Sequence, residues 1–133
     1  MDRTFAKLLE FAKARYNPRE LSPLVTAGSV SAAILTESGN IYTGVCIDTA
    51  CSLGMCAERN AVANMITNGE RRIVRLVCYL RDSDGNEQAG MPCGACRELL
   101  MQLDPGSPDI EILADIRTGR TVFLRDLIPD WWG

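Results

Sequence analysis

Histidine is missing altogether from this chain of 133 residues. Any transition-metal site it builds must therefore draw on sulfur and oxygen ligands. A basic excess is missing too, because 14 Lys and Arg stand against 17 Asp and Glu, for a net charge of -3 and a pI near 4.9. A protein that grips nucleic acid by its phosphates needs a broad positive footprint. Aromatic side chains, the stacking platforms of a single-strand groove, make up only 6% of the chain. No stretch reaches the roughly 18 consecutive apolar residues of a membrane span. The opening residues are charged from Asp2 onward and carry no apolar signal core. These absences argue against a nucleic-acid or membrane partner, and predict a cytoplasmic protein that acts on a small uncharged molecule.

What is present suits one domain, residues 1–133, with a real core, since 47% of the chain is hydrophobic. Phe5, Leu8, Leu9, Ala12 and Tyr16 recur at helical spacing until Asn17-Pro18 stops the run. Residues 18–28, with Pro18, Pro23 and Gly28, read as a loop. Val30 to Leu35 and Ile41 to Ile47 are β-rich runs joined by a Ser38-Gly39-Asn40 turn, which predicts a hairpin. A helix follows from about Cys56 to Asn68-Gly69, then an apolar strand over Ile73 to Leu80 and a polar turn from Arg81 to Gly90. A further helix opens near Cys93 and ends at Asp104-Pro105-Gly106. Ile110 to Ala114 and Thr121 to Phe123 read as edge strands, and Leu124 to Ile128 as a short last helix. Helices interleaved with strands in this way predict an α/β protein, a layered α/β sandwich.

Two segments carry the chemistry: Cys56-Ala57-Glu58-Arg59 and, with 36 residues between the first cysteines of each, Pro92-Cys93-Gly94-Ala95-Cys96-Arg97. Six cysteines in a reducing compartment read as metal ligands or buried thiols before disulfides. If Cys56, Cys93 and Cys96 hold a Zn²⁺ ion, three protein ligands leave the fourth position for water, as in a catalytic site, and Glu58 faces it. All three thiols start helices, where the partial positive charge and free amides favour thiolate. Three thiolates give the zinc unit a formal charge of -1, and Arg59 and Arg97, each next to a ligand, are candidates to draw that charge off as outer partners. Glu58 is then the general acid and base rather than a ligand. The residues alone leave other readings open. Cys46 or Cys51 could close a structural zinc, Cys93 and Cys96 could be a redox pair, and Glu58, Arg59 and Arg97 could be ordinary helix-surface residues. Cys51 and Cys78 read as buried small apolar residues, and Trp131 and Trp132 as packing or interface anchors.

Taken together, Val30 to Leu35, Gly39 to Val45, the two cysteine segments and Leu127-Ile128-Pro129 resemble the small cytidine deaminase group, which includes the blasticidin-S deaminases. The resemblance covers most of the chain. It implies a three-layer α/β/α sandwich with a five-stranded mixed sheet, a zinc on three cysteines, and a homotetramer whose subunits share active sites. It also implies hydrolytic replacement of the exocyclic amine of a cytosine-type nucleoside by oxygen, with ammonia released and Glu58 shuttling the proton. Cys46, Asp48 and Ala57 fall at substrate-facing positions. At the first two this sequence departs from the family's Asn-x-Glu, so a modified cytosine nucleoside such as blasticidin S is the alternative substrate. A non-catalytic zinc-stabilised module and a nucleic-acid editor are rivals of other classes, the latter disfavoured by charge.

Overall fold

The computed structural model describes residues 1–133. Helix α1, Arg3–Arg15, starts where the Asp2 carboxylate accepts a hydrogen bond from the Phe5 amide at 2.9 Å, which satisfies one of the four amides a helix leaves open at its start. Its apolar stripe, Phe5, Leu8, Leu9 and Ala12, is buried. Strands β1, Arg19–Ser22, β2, Val25–Thr36, and β3, Ile41–Thr49, follow, and then helix α2, Ala57–Thr67. Strand β4, Ile73–Arg81, and the short β5, Glu87–Ala89, lead to helix α3, Gly94–Leu103. A 3-10 turn at Ser107–Asp109, strands β6, Glu111–Leu113, and β7, Thr121–Phe123, and helix α4, Leu124–Leu127, complete the chain.

All five expected strands form one mixed sheet in the order β3, β2, β4, β6, β7, and it is antiparallel except for the parallel pair of β4 with β6. Two short strands add to it. The segment read as a loop over residues 18–28 contains β1 and the start of β2, paired through Arg19↔Ala27 and Glu20↔Thr26. The segment read as a turn over 81–90 contains β5, paired to β4 through Tyr79↔Ala89. Neither carries an apolar alternation, since β1 is exposed throughout and β5 nearly so. Backbone pairing orders β1, and β5 is held by pairing to β4 together with Glu87, which accepts from the Tyr79 hydroxyl and pairs with Lys13. Residues 110–114 do not form an edge either, for β6 lies between β4 and β7.

Alternation along the strands divides the core in two. Ala33 of β2, Val77 and Tyr79 of β4 and Leu113 of β6 face α1. Ala32, Ile34, Leu76, Cys78 and Ile112 face the other way, onto Ala57, Ala61, Val62 and Met65 of α2 and Leu100 and Met101 of α3. These are the three layers of an α/β/α sandwich. Helix α2 lies close against β3, and a Cβ at Gly44 would collide with the Ala61 amide nitrogen and the Ala57 carbonyl oxygen. That close approach fixes where α2 begins, and with it the position of Cys56.

Candidate active site

The starts of α2 and α3 meet beside the sheet. Cys56 is the N-cap of α2 and Cys93 the N-cap of α3, both in extended backbone conformation and neither making a side-chain capping bond. Their sulfurs are free for something other than the helix. The Cys56 and Cys93 Sγ atoms are 3.4 Å apart, those of Cys93 and Cys96 3.5 Å, and all three lie within 4.8 Å of one another. A tetrahedral zinc with Zn–S bonds of about 2.3 Å sets its sulfurs about 3.8 Å apart. The cluster therefore fits a zinc ion in size and in donor type. No further Cys, Asp or Glu joins the group. Cys46 instead meets Ser29 Oγ and the Val30 amide, each at 3.3 Å, and Cys51 is exposed. With only three protein donors, one tetrahedral position is left over.

The thiols respond to this placement. Burial resists ionisation at Cys93, yet the Cys96 amide and the neighbouring sulfurs outweigh it and hold its pKa below the ordinary thiol value. Cys96 is pushed up, first by burial and then by the Glu58 charge. A divalent cation between the sulfurs displaces such a proton.

Glu58, the second residue of α2, is only 3% exposed. Burial raises its carboxyl above the usual range, opposed in part by its own backbone amide, by the Cys78 and Cys96 thiols and by Arg59. The Cys78 thiol donates to Glu58 Oε1 at 3.7 Å. Glu58, Cys56 and Cys93 all line a cavity of about 560 Å³ whose wall also carries Cys46, Asp48 and Ala57. The structure thus gathers most of the candidate residues around one space, while Cys96 lies buried behind Cys93 and Arg97 stands outside the lining. Along its wall the Cys46 thiol donates to Asp48 Oδ2 at 3.6 Å.

The two arginines part company. Arg59 Nη2 donates to Cys56 Sγ at 3.6 Å, while its Nε is buried without a partner. Arg97 does not reach a sulfur. Its Nε donates to the Pro92 carbonyl at 2.6 Å and its Nη1 to the Leu127 carbonyl at 2.8 Å, so it holds the backbone of the ligand loop rather than the charge of the ligands.

Two features escape a reading of the sequence. Cys78 is buried as expected, but on the side of β4 that faces α2, where its thiol meets Glu58. The period-2 alternation that separates Cys78 from Tyr79 is the signal that could have placed it. The carboxylate of Glu98 accepts both indole N–H groups of Trp131 and Trp132, and no local spacing announces that contact.

The model of the cytidine and deoxycytidylate deaminase zinc-binding region matches residues 8–108, which include all three cysteines of the cluster and Glu58. Cytidine deaminase of Mycobacterium tuberculosis is 34% identical over 106 residues, 79% of this chain and 73% of that protein. Blasticidin-S deaminase of Bacillus cereus is 31% identical over 107 residues, 75% of this chain and 74% of that one. Among solved structures, the crystal structure of the M. tuberculosis cytidine deaminase superposes with a TM-score of 0.74 at 30% identity, covering 99% of each chain. That of cytidine deaminase from Burkholderia pseudomallei gives 0.75 at 27% identity, over 99% of this chain and 100% of the other.

Proposed function

The chain belongs to the cytidine and deoxycytidylate deaminase family, and from that membership we propose that Glu58 carries the proton in a zinc-dependent hydrolytic deamination whose metal is held by Cys56, Cys93 and Cys96. The reaction replaces the exocyclic amine of a cytosine-type nucleoside by oxygen and releases ammonia. The observation that carries this reading is a trio of sulfurs with no fourth protein donor, on a cavity that a buried carboxylate also lines.

When bound, zinc supplies the Lewis acidity that makes a water molecule a usable nucleophile at neutral pH. The chain does the rest. Glu58 accepts a proton from the attacking water and passes it to the ring nitrogen next to the amine-bearing carbon; it then takes the second proton from the hydroxyl newly bonded to that carbon and gives it to the amine, which leaves as ammonia as the C=O forms. The first turn of α2 suits this, because a rigid helix fixes Glu58 two residues from a ligand. Arg59, through its bond to Cys56, draws negative charge off the cluster. Arg97 positions the loop that carries Pro92 and Cys93. Cys46, Asp48 and Ala57 line the cavity and hold the nucleoside.

The protein works as a cytoplasmic homotetramer whose neighbouring copies complete each active site. Support comes from Leu21, Leu24 and Leu53, which are 57%, 70% and 85% exposed, and Leu53 follows the cavity-lining Ser52. Exposed apolar side chains of this kind favour an interface.

Glu58→Gln tests the central assignment. It keeps the shape of the side chain and removes its capacity to take a proton, so ammonia release from cytidine falls by about 10² to 10⁴-fold while bound zinc stays at one per chain. Turnover near that of the parent protein would refute the role given to Glu58.

A further inference from the structure

We propose that the C-terminal segment Leu127–Trp132 is a brace on α3 that slows loss of metal from Cys93 and Cys96, acting through Arg97 and Glu98. The proposal rests on the assignment of the three cysteines as zinc ligands.

Five side-chain hydrogen bonds converge on two adjacent residues of α3. Arg97 bridges Pro92, next to a ligand, and Leu127, thirty residues further along, with bonds of 2.6 and 2.8 Å. Glu98 accepts from Trp131 Nε1 on one carboxylate oxygen at 3.0 Å and from Trp132 Nε1 on the other at 2.9 Å. Gln102, one turn along the same helix, donates to Glu98 at 2.9 Å and holds the carboxylate in place. The two indoles lie 5.4 Å apart. They reach α3 because Asp130 adopts a left-handed backbone, φ 55°, a conformation that Asp tolerates better than most residues. Leu127, Ile128 and Trp131 pack against the core on the same side.

The need for such a brace follows from the cap. An N-cap side chain normally ties down the first turn of its helix, but Cys93 makes no capping bond. The first turn that carries Cys93 and Cys96 is therefore held by its own amides and by contacts from outside the helix rather than by an oxygen cap. Glu98 lies two residues beyond Cys96, and a helix transmits displacement along its axis, so tethering residues 97 and 98 fixes both sulfurs. Groups bonded directly to metal ligands commonly change metal affinity 10- to 100-fold when removed, and a tether one step further out should act at the lower end of that range.

The test is the rate at which zinc-loaded protein gives up its metal to an excess of a chromogenic chelator. Trp131→Phe and Trp132→Phe keep ring packing and remove one N–H each. The double variant should release zinc roughly 10-fold faster, and Trp131→Phe should contribute more than Trp132→Phe, because Trp132 is 77% exposed and water competes for its bond. Glu98→Ala should match the double variant and Glu98→Gln, which keeps one acceptor, should fall between. The thiolate-to-metal absorption of the cobalt-substituted double variant should equal the parent's, showing that three sulfurs still bind. Leu8→Ala, on the opposite face of the sheet, controls for plain loss of stability. Release at the parent rate, or equal acceleration in Leu8→Ala, overturns the brace and leaves the proposed function standing. A parent protein that binds no zinc overturns both.

Discussion

The three long helices begin in two different ways, on opposite faces of the sheet. On one face α1 starts at Asp2, whose carboxylate caps the Phe5 amide and pairs with Arg75 at 2.8 Å. On the other, α2 and α3 start at Cys56 and Cys93, whose side chains cap nothing. A helix end with unspent amides is less stable than a capped one, and it is also a place where a thiolate is favoured. The α1 face is organised for stability, and the opposite face gives up part of that stability to set sulfurs and a carboxylate around a cavity.

The sharpest way to break this contrast is to turn a functional start into a structural one. Cys56→Asp puts the side chain used at α1 onto α2. It should weaken zinc retention and cut ammonia release sharply, the largest effect expected, because the cluster falls to two sulfurs and a shorter carboxylate that the helix amides compete for. In the metal-free state the same variant should be more stable than the metal-free parent by about 1 kcal/mol, the usual worth of a good N-cap. Urea unfolding of both metal-free proteins measures this. A metal-free variant less stable than its parent would mean that the cysteine start gives up nothing, and the contrast would be wrong.

Next in size is the converse experiment on the α1 face. Leu8 is fully buried among Phe5, Ala33, Val77 and Tyr79. Leu8→Ala leaves a cavity and should cost about 2–5 kcal/mol. No side chain of that layer joins the cluster, so zinc stoichiometry should remain one per chain and KM for cytidine unchanged at temperatures where the variant is folded. A shifted KM in a folded sample would show that the two faces are coupled through the sheet.

How much of this was legible in the sequence follows the same division. The stripe of α1, the two cysteine helices and the core strands each carry a local signature: apolar residues at helical spacing, cysteines at a helix start, an apolar run; the Asp2 cap of α1 was not read. Those were readable because local chemistry dictates them. The strands β1 and β5 were not, since their residues are exposed and their partners, the backbone of β2 or β4 and, for Glu87, the distant Tyr79 and Lys13, leave no local pattern. Arg97 sits beside a ligand in the sequence, which suggests a bond to sulfur. Its actual partners are backbone carbonyls, one of them Leu127 of a distant segment, and carbonyls leave no trace in side-chain spacing. Cys51 was expected in the core but stands exposed at φ 67°, because residues 50–55 turn outward along the cavity before Met55 pairs with Ile47.

The smallest predicted effect sharpens the contrast within a single element. Glu58 near the start of α2 is buried with its carboxyl held above the ordinary range. Glu70, just past the end of that helix, has its carboxyl pulled down to about 2, chiefly by the Tyr42 hydroxyl, then by Thr36 and Asn40. Tyr42 Oη donates to it at 2.6 Å and Asn40 Nδ2 at 2.8 Å, which ties the β2–β3 hairpin to the helix end. Because its folded pKa lies below the unfolded value of about 4.5, ionised Glu70 stabilises the fold fully above that pH, and the contribution fades as pH falls toward 2. Glu70→Gln should therefore be less stable than the parent at pH 7, with the gap between them narrowing steadily below pH 4.5. Urea midpoints measured on metal-free protein from pH 7 to 2.5 follow that gap without interference from the thiol cluster. A constant gap across the range would mean that the Tyr42 and Asn40 bonds do not depend on the carboxylate charge, and the far end of α2 would then be held by geometry alone.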